Sequence, residues 1–291
     1  MNQGNGYDPT VDAMKQRNRE VFQETLAICK AGGYRTPAGK EIRLPEAETV
    51  RKSSAYYIDP PSVSDKPTAA DPAVDVVMGD CIDVARELKE SGFNPVMLNM
   101  ANRTTPGGGV LDGARAQEET LFRRSNLCVS LYQYNARLAP LVGVEPAKEQ
   151  YPMDRNTGGI YSGQVMFFRK SVDADYDLDA NPYVCSVVSA AAISHPELKP
   201  DGRMTDAMAE ATKRRMRTVL RIGLLHGHDA IVLGAWGCGA FRNPPSHIAE
   251  LFKEVLAEEE FARKYRRVRF AIIEDHNSNN RNLKAFQDVF G

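Results

Sequence analysis

Cysteine is scarce in this chain, and neither sign of charge is in excess. The five cysteines are an odd number, lie far apart and form no C-x-x-C pair, which favours reduced thiols over a disulfide framework or a structural zinc site. The 37 basic and 38 acidic residues give a net charge of −1. Direct binding of nucleic acid through a global basic field is therefore not expected, and a polyanionic ligand must be held by local groups.

Long apolar runs are also missing. No stretch approaches the length of a transmembrane helix, and the beginning of the chain has no apolar region of the kind found in signal peptides. These absences predict an intracellular protein with no membrane partner, cytoplasmic or, in a eukaryote, also nuclear. The histidines have no metal-ligand spacing, and neither H-E-x-x-H nor G-x-x-x-x-G-K-[ST] occurs, so no metal or other cofactor is predicted.

The composition, with 42% hydrophobic and 26% charged residues, is that of an ordinary globular protein. Four prolines lie between Asp59 and Pro72, which is the best linker candidate in the sequence. We therefore predict two parts: residues 1–72, an N-terminal helical extension with a Pro-rich linker, and residues 73–291, the core. Apolar residues recur at helical spacing over Val11–Lys30, and a short strand is expected at Lys40–Leu44.

The predicted core alternates strands with helices. Strands are expected at Val74–Met78, Val96–Met100, Asn156–Phe168 (after a turn), Val184–Val188, Ala230–Leu233 and Val268–Ile273, and helices at Cys81–Glu90, from about Gln117 with a continuation over Leu127–Arg137, at Thr205–His226, Pro245–Glu260 and Asn280–Val289. This alternation is typical of an α/β fold in three layers, with helices on both faces of a parallel or mixed sheet. Ligands of such sheets bind beyond the carboxyl ends of the strands.

The most informative stretch follows the strand Val96–Met100. Asn102 and a triple glycine, Gly107-Gly108-Gly109, come first, and Gln117-Glu118-Glu119 then opens a helix. Successive glycines can adopt positive φ and let a ligand approach bare backbone, whose amides form an anion-binding concavity. Two glutamates at a helix start lie where the macrodipole favours negative charge. An anion site beside a carboxylate pair indicates hydrolysis of a phosphate-bearing sugar.

Each half of this stretch also has a simpler interpretation. Glycine clusters are usually flexible loops, and a pair of glutamates is usually an exposed helix start. The loop is short, however, and lies between a core strand and a helix, which favours an anion cradle over a flexible loop. Adjacent side chains on a helix point about 100° apart, so we expect only one of the two glutamates to face the glycines.

The spacing of GGG and QEE resembles the signature of poly(ADP-ribose) glycohydrolases, and the surrounding PGGGVLDGARAQEETLFRRSNL is similar to the microbial type. The resemblance covers the core from about Val74 and implies a macrodomain-like fold, with the extension as a helical accessory segment. It further implies hydrolysis of ribose–ribose O-glycosidic bonds, release of ADP-ribose and no cofactor. Poly(ADP-ribose), ADP-ribose and ADP-ribosylated proteins would be the partners. Microbial-type members resemble exo-acting enzymes, so we expect exo cleavage, with the terminal adenosine ribose blocked by the accessory segment.

The resemblance assigns a role to each residue of the QEE motif. Glu119 protonates the oxygen of the leaving ribose, Glu118 hydrogen-bonds and orients the leaving sugar, and Gln117 holds the loop geometry. Protonation of the departing oxygen is the usual requirement of glycoside hydrolysis. A general acid of this kind needs a raised pKa, which a pocket shielded by the substrate would supply and a helix start would oppose.

The resemblance also places the substrate around the motif. Gly107 to Gly109 lie along the diphosphate and the distal ribose, and Asn102 contacts ribose hydroxyls, although an asparagine there could simply satisfy loop backbone. Asp80 accepts from the adenine amine, and the Cys81 amide meets the ring. On the residues alone, Asp80 is better explained as a helix N-cap, and both roles can hold at once.

A second glycine loop, GAWGCGAF, follows the strand Ala230–Leu233. On its own it predicts a tight turn before a helix. In the resemblance it is a second phosphate loop, whose amides hold the diphosphate from the opposite side and whose phenylalanine ring covers the distal ribose. The residues assigned to substrate binding are Gly237, Cys238, Gly239, Ala240 and Phe241.

Two further groups are weaker candidates. The polar run Glu274-Asp275-His276-Asn277 follows the last strand and could contact adenine. Arg214, Arg215 and Arg217 lie on one long helix; such a run is usually a solvated helix face, but it could steer an anionic polymer.

Two other functions stay open at this point. A reader macrodomain would bind ADP-ribose without cutting it, and a related hydrolase would act on mono-ADP-ribosylated targets. A reader has no need of the QEE motif, so the intact Glu118-Glu119 pair favours an enzyme.

Overall fold

The computed structural model describes residues 9–63, 72–274 and 281–291. Its helices are α1 (Pro9–Ala31), α2 (Ala47–Lys52), α3 (Cys81–Glu90), α4 (Gln117–Arg124), α5 (Leu127–Tyr132), α6 (Asp206–Leu225), α7 (Pro245–Leu256) and α8 (Asn282–Phe290). Its strands are β1 (Gly33–Arg35), β2 (Glu41–Arg43), β3 (Ser54–Tyr57), β4 (Ala73–Met78), β5 (Pro95–Met100), β6 (Gly159–Arg169), β7 (Leu178–Ala190), β8 (Ala230–Leu233) and β9 (Arg267–Ile272). The predicted alternation of strands and helices in the core is confirmed.

Seven strands form the main sheet, in the order β3-β6-β7-β5-β8-β9-β4. The neighbours from β7 to β4 are parallel, whereas β6 runs antiparallel to both β3 and β7. Strand β5 is central, with Leu98 beside Val188 of β7 and Val96 beside Ile231 of β8. The sheet is therefore mixed, and β1 and β2 form a separate antiparallel ribbon.

Side chains of the central strands alternate between two cores because successive residues of a strand point to opposite faces. On β5, Met97 packs into a core with α1, α3, α4 and α5, while Val96 and Leu98 pack into a second core with α6, α7 and α8. A strand buried on both faces is apolar throughout rather than alternating. This explains the consecutive apolar residues Val96–Leu98 of β5 and gives the three predicted layers.

The N-terminal extension packs directly on the core. On α1, the Phe22 ring lies 6.2 Å from that of Phe122 and 6.5 Å from that of Tyr132, and Asn18 Nδ2 donates to the Gly113 carbonyl at 3.0 Å. Strand β3, which also precedes residue 72, pairs with β6 in the main sheet. The domain boundary at residue 72 stays a prediction, and residues 64–71 of the predicted linker lie outside the described residues.

Helix α4 does not continue directly into the following helical residues. Ser125 is extended, with φ −150° and ψ 176°, and forms a β-bridge with Phe167. The Asn126 side chain accepts from the Met166 amide at 2.7 Å and donates to the Gln164 carbonyl at 3.3 Å. These contacts with β6 end α4 and start α5 in a new direction.

All five cysteines are free thiols. The sulfur atoms of Cys29 and Cys128, on α1 and α5, lie 3.8 Å apart in the first core. Among the described helices, none combines the length and the apolar character that crossing a membrane requires.

Candidate active site

Several loops meet at one edge of the main sheet. Because β4, β5, β7, β8 and β9 are parallel, their carboxyl ends all lie along this edge. The loop after β4 begins with Asp80, the loop after β5 carries Asn102 and the triple glycine, and the loop after β8 is the second glycine loop, residues 234–241. The structure thus brings the three predicted segments together.

Gln117 ties the first turn of α4 to the end of β5. Its Oε1 accepts from the Met100 amide at 2.9 Å, and its Nε2 donates to the Leu98 carbonyl at 2.8 Å. These two bonds fix the helix start relative to the strand end, on either side of the loop that contains the glycines. The contacts support the predicted role of Gln117 in holding the loop geometry.

The Glu118 carboxylate is held on both oxygens. Its Oε1 accepts from the Gly107 amide at 3.0 Å and from Asn99 Nδ2 at 3.4 Å, and its Oε2 accepts from the Asn102 amide at 2.7 Å. The residue is only 3% exposed. Burial raises the pKa of Glu118 to about 8, with a smaller contribution from the charge of Glu119, while the backbone donors oppose the rise.

Glu119 is held on one oxygen only. Its Oε1 accepts from the Gly109 amide at 2.9 Å. Its Oε2 is buried, and no group in the described part of the chain forms a hydrogen bond with it. Buried polar atoms nearly always have a partner. The free oxygen of Glu119 is therefore open to a hydrogen-bond partner from a ligand.

Both glutamates face the glycines, so the expectation that only one would do so is wrong. The physical reason is the path of the loop, which crosses the start of α4 and presents the amides of Gly107 and Gly109 to successive helix residues. Gly107 and Gly108 have φ of +82° and +54°, which turns the backbone between the two bonds. The two carboxylates still differ, because one is surrounded by donors and the other has a free oxygen.

The amides of the triple glycine are not free to bind an anion. Those of Gly107 and Gly109 donate to the glutamates, and that of Gly108 donates to the Thr105 carbonyl at 3.1 Å. The prediction that these amides cradle a diphosphate is therefore wrong: they hold the carboxylates in place. Close approach of a ligand to the bare glycine backbone stays a prediction.

The second glycine loop has the free donors that the first one lacks. In the described ranges, no acceptor is found for the amides of Gly237, Gly239, Ala240 and Phe241. The Cys238 amide, in contrast, donates to the Ala235 carbonyl at 3.1 Å, so its predicted contact with the ligand is wrong for the amide. The remaining amides, beyond the end of β8, are free to donate to an anion, and their contact with a diphosphate stays a prediction.

The conformation of this second loop is fixed by Asn243. Its Nδ2 donates to the Gly237 carbonyl at 3.0 Å and to the Ile193 carbonyl at 2.7 Å. Gly237 has φ +76°, and a Cβ there would lie 2.5 Å from Asn243 Nδ2. The Phe241 carbonyl accepts from the His195 amide at 2.8 Å, while its ring is half-buried. Coverage of a ribose by this ring stays a prediction.

Asp80 is the N-cap of α3, which confirms that interpretation. Its Oδ1 accepts from the Ile82 amide at 2.8 Å, and its Oδ2 accepts from Arg124 Nη1 at 2.7 Å. The Cys81 amide is the first of α3 and has no intrahelical acceptor. A carboxylate oxygen can accept more than one hydrogen bond, so the predicted adenine contact of Asp80 and Cys81 is compatible with the cap and stays a prediction.

Asn102 uses its side-chain oxygen within the loop. Oδ1 accepts from the Thr104 amide at 2.9 Å and from the Thr105 amide at 3.1 Å, which confirms that the residue satisfies loop backbone. No described group accepts from its Nδ2. A ribose contact by this amide group stays a prediction.

Comparison with known families decides the identity of the site. The model of the microbial-type poly(ADP-ribose) glycohydrolase (PARG) catalytic domain matches residues 22–170, which is 149 of the 291 residues. The chain belongs to this family. The matched range includes Asp80, Asn102, the triple glycine and the QEE motif, whereas the second glycine loop lies beyond it.

Solved structures of bacterial PARG are similar over most of the chain. The enzyme from Thermomonospora curvata is 28% identical, with a TM-score of 0.75 over 94% of this chain and 100% of that one. Its complex with the inhibitor ADP-HPD is 27% identical in sequence, with a TM-score of 0.74 over 94% of this chain and 99% of that one. The Deinococcus radiodurans enzyme in complex with ADP-ribose is 27% identical, with a TM-score of 0.65 over 85% and 98%. Comparison with curated protein sequences found no match. The predicted macrodomain-like α/β/α fold is confirmed.

Two residues of the PARG site were missed by sequence reasoning. Asn99 is fully buried, and its Nδ2 donates to Ser189 Oγ at 3.0 Å beside Glu118. Arg123, also fully buried, donates from Nη1 to the Ala114 carbonyl at 2.6 Å and so holds the loop between the glycines and QEE. Two features could have identified these residues: Asn99 is a polar residue inside the apolar run VMLNM, and Arg123 is an arginine on the buried face of α4.

Of the polar run after β9, only Glu274 lies within the described residues. Glu274 Oε1 accepts from the Leu283 amide at 2.6 Å and so binds the start of α8. The other three residues of the predicted adenine contact, 275–277, lie outside the described residues. Among the residues that are described, no group of three or more side chains is placed to hold a metal ion.

Proposed function

We propose that this chain hydrolyses the ribose–ribose O-glycosidic bond of poly(ADP-ribose) and releases ADP-ribose, with Glu119 as the general acid and base. The observation that carries the proposal is the state of the Glu119 carboxyl group, with one oxygen anchored by the Gly109 amide and the other buried without a partner. A fixed carboxyl group with a free oxygen suits proton transfer to a leaving group. A binding module has no need of such a group.

The substrate is oriented along the carboxyl edge of the sheet. The free amides of the second glycine loop, after β8, hold the diphosphate. The distal ribose lies at the end of β5, beside Asn102 and Glu119, and the adenine lies at the end of β4, beside Asp80. The strand order supports this direction, because β8 and β9 lie between β5 and β4. The ADP-ribose bound to the Deinococcus radiodurans enzyme supports the class of ligand.

The proton follows a closed path in this scheme. Glu119 gives its proton to the oxygen of the leaving ribose as the bond from that oxygen to the anomeric carbon breaks. A water molecule then attacks the anomeric carbon, and its proton returns to Glu119. Glu118, held by the amides of Gly107 and Asn102, hydrogen-bonds the leaving sugar and orients it. No cofactor takes part.

We also propose that cleavage proceeds from the end of the polymer. The support is the position of α1, which packs on the loop that follows the triple glycine: Asn18 and Arg19 donate to the carbonyls of Gly113 and Asp112 at 3.0 and 3.3 Å. In this proposal, the extension blocks the end of the site at which the terminal adenosine ribose lies.

Product lengths test both the activity and the mode. Long polymer is incubated with the protein, and the products are sized from the first few per cent of reaction onward. We expect free ADP-ribose from the start and no early fragments of medium length. Early medium-length fragments would contradict exo cleavage, and no release at all would contradict the activity.

Alanine at Gly108 should displace the catalytic carboxyl group. A Cβ at this position would lie 2.5 Å from Glu119 Oε1 and 3.2 Å from Glu118 Oε2. Because a misplacement of about 1 Å can cost about 100-fold in rate, we expect Gly108→Ala to reduce kcat by about 100-fold. Single-turnover rates with polymer measure the loss.

The matched control for Gly108→Ala is Gly143→Ala. Gly143 also has positive φ, +69°, but a Cβ there would meet nothing within 4 Å. The control carries the backbone strain of alanine in the left-handed region, about 1–2 kcal/mol, without the contact with Glu119. Equal losses of activity in the two variants would show that strain, and not the position of the carboxyl group, is responsible.

A further inference from the structure

Four arginines come together beside the Asn102 loop although they are far apart in the sequence. The Met153 amide donates to the Arg103 carbonyl at 2.9 Å, and Arg103 Nη1 donates to the Met153 carbonyl at 3.3 Å. Arg155 follows on the same segment, and its carbonyl accepts from Arg215 Nη2 on α6. Arg214 precedes Arg215 on that helix. These residues, Arg103, Arg155, Arg214 and Arg215, are called the arginine cluster below.

The charge of the arginine cluster is not neutralised by the described part of the protein. None of the four side chains forms an ion pair there. The neighbouring α6 residue Arg217 differs, because it pairs with Glu210 and Glu258 at 2.9 and 2.8 Å. The Asp154 carboxylate opposes the positive charge around Arg215, but it already accepts from backbone amides of its own turn.

The electrostatics agree with an uncompensated positive site. Burial, followed by the charges of Arg155, Arg103 and Arg214, lowers the pKa of Arg215 to about 10, and Asp154 offsets only part of this. Crowding of positive charge away from solvent is what disfavours the charged form of an arginine. An anion bound between these side chains would relieve the repulsion.

In the substrate orientation proposed above, the arginine cluster lies on the opposite side of the scissile bond from the adenine. Arg103 follows β5, Arg155 precedes β6, and Arg215 Nη1 donates to the Ala191 carbonyl just after β7 at 3.2 Å. The released ADP-ribose extends the other way, from the end of β5 across β8 and β9 to Asp80 at β4. In the strand order, β6 and β7 are therefore on the side of the leaving group.

We infer that the arginine cluster binds the diphosphate of the neighbouring polymer unit, the one on the leaving side of the bond that is cut. Each unit of poly(ADP-ribose) carries one diphosphate, and the guanidinium fork of arginine matches phosphate oxygens in paired hydrogen bonds. The inference rests on the proposed function and adds a reason for preferring polymer over a single ADP-ribose unit. Binding at this site weakens as salt rises.

The test removes the two exposed members in the variant Arg155→Gln/Arg214→Gln. Arg103 and Arg215 are left in place because their guanidinium groups bind backbone carbonyls and contribute to the fold. Two substrates are compared: poly(ADP-ribose), and ADP-ribose whose distal ribose carries an uncharged aryl leaving group. Only the polymer has a diphosphate on the leaving side.

A matched control removes the same charge elsewhere. Arg35→Gln/Arg43→Gln changes two exposed arginines of the β1–β2 ribbon. This ribbon contacts the start of β7, where Lys40 Nζ donates to the Ala180 carbonyl at 2.8 Å. The start of β7 lies at the opposite edge of the sheet from the active site, so the control changes net charge without changing the arginine cluster.

We expect the cluster variant to raise KM for polymer by about tenfold and to make its salt dependence shallower, with kcat unchanged. Kinetics on the aryl substrate and the affinity for free ADP-ribose should match those of wild type and control. The aryl substrate also reports on folding, because a misfolded variant would lose activity on both substrates.

Three results would overturn the inference. Polymer kinetics equal to those of the control would overturn it and leave the proposed function intact. An equal loss of activity on the polymer and on the aryl substrate would show that the cluster acts on binding of the released ADP-ribose unit or on the fold. A wild-type chain that binds ADP-ribose but cuts neither substrate would overturn the proposed function together with the inference.

Discussion

Replacing Glu119 with glutamine is expected to reduce hydrolysis of poly(ADP-ribose) by about 1000-fold, within the usual range for loss of a general acid or base. Binding of free ADP-ribose should be unchanged. The reason is that glutamine keeps the shape of the side chain but cannot release a proton to the leaving oxygen. Release of ADP-ribose under single-turnover conditions measures the rate, and calorimetric titration with ADP-ribose measures the binding.

The structure makes this substitution unusually clean. The glutamine oxygen can keep the hydrogen bond from the Gly109 amide, and its amide group then takes the position of Oε2, which forms no hydrogen bond with any described group. No buried donor is left facing another donor, so the free energy of unfolding should change little. Glu90→Gln, at an exposed position near the end of α3, is the control. A Glu119→Gln protein that binds ADP-ribose and still cuts polymer at close to the wild-type rate would contradict the assignment.

Glu118→Gln should damage both the site and the fold. Every described hydrogen-bond partner of Glu118 is an N–H donor: the amides of Gly107 and Asn102 and the Nδ2 of Asn99. A glutamine has only one oxygen, so its amide group must face one of these donors. We expect a loss of about 1–3 kcal/mol in unfolding free energy near pH 5 for the unsatisfied buried groups. Displacement of the loop should lower kcat by about 100-fold.

The pH dependence of the unfolding free energy also distinguishes Glu118→Gln from wild type. Between the ordinary pKa of 4.5 and the folded value of about 8, the folded protein holds a proton on Glu118 that the unfolded chain has lost. This stabilising contribution is complete below pH 4.5 and is lost as the pH rises to about 8, which lowers the unfolding free energy by about 5 kcal/mol. Glutamine does not titrate, so this contribution is absent from the variant.

Denaturant unfolding of wild type and Glu118→Gln at a series of pH values tests this expectation. Wild type should be the more stable protein near pH 5, and the order should reverse by about pH 8, because the loss of about 5 kcal/mol exceeds the initial difference of about 1–3 kcal/mol. A difference that stays constant over this range would show that Glu118 keeps the same charge in both states and that its burial does not raise the pKa as described.

The layered fold could be predicted because its signals are local. Strands buried on both faces are continuously apolar, and each is followed by an amphipathic helix. The break between α4 and α5 could not be predicted, since the extended conformation of Ser125 depends on a bridge to Phe167, which is distant in the sequence. Phe167 lies on β6, which comes much later in the sequence than α4.

The residues of the site could be named from sequence, but not their hydrogen bonds. The GGG and QEE spacing identifies the two segments that meet. Which glycine amide binds which carboxylate depends on the turn set by the positive φ of Gly107 and Gly108, and this turn has no local signature beyond glycine itself. Anion binding was therefore predicted for both loops, although the free amides among the described residues belong to the second.

The basic run of α6 likewise separates what the sequence predicts from what only the structure shows. Sequence places Arg214, Arg215 and Arg217 on one helix but cannot tell which of them have acidic partners. In the structure Arg217 forms an ion pair with Glu258, just after the end of α7. Arg214 and Arg215 instead belong to the arginine cluster with Arg103 and Arg155 and have no ion pair with the described residues. Tertiary contacts alone separate a structural arginine from one that is free to bind an anion.

The most direct test of the central claim, that Glu119 protonates the leaving oxygen, uses a series of leaving groups. ADP-ribose derivatives whose distal ribose carries phenols of increasing acidity are cleaved by wild type and by Glu119→Gln. An acidic phenol departs without a proton, so we expect the loss of rate in Glu119→Gln to be greatest for the ribose hydroxyl and to shrink steadily as the phenol becomes more acidic. A deficit of the same size for every leaving group would contradict the role of Glu119 as the general acid.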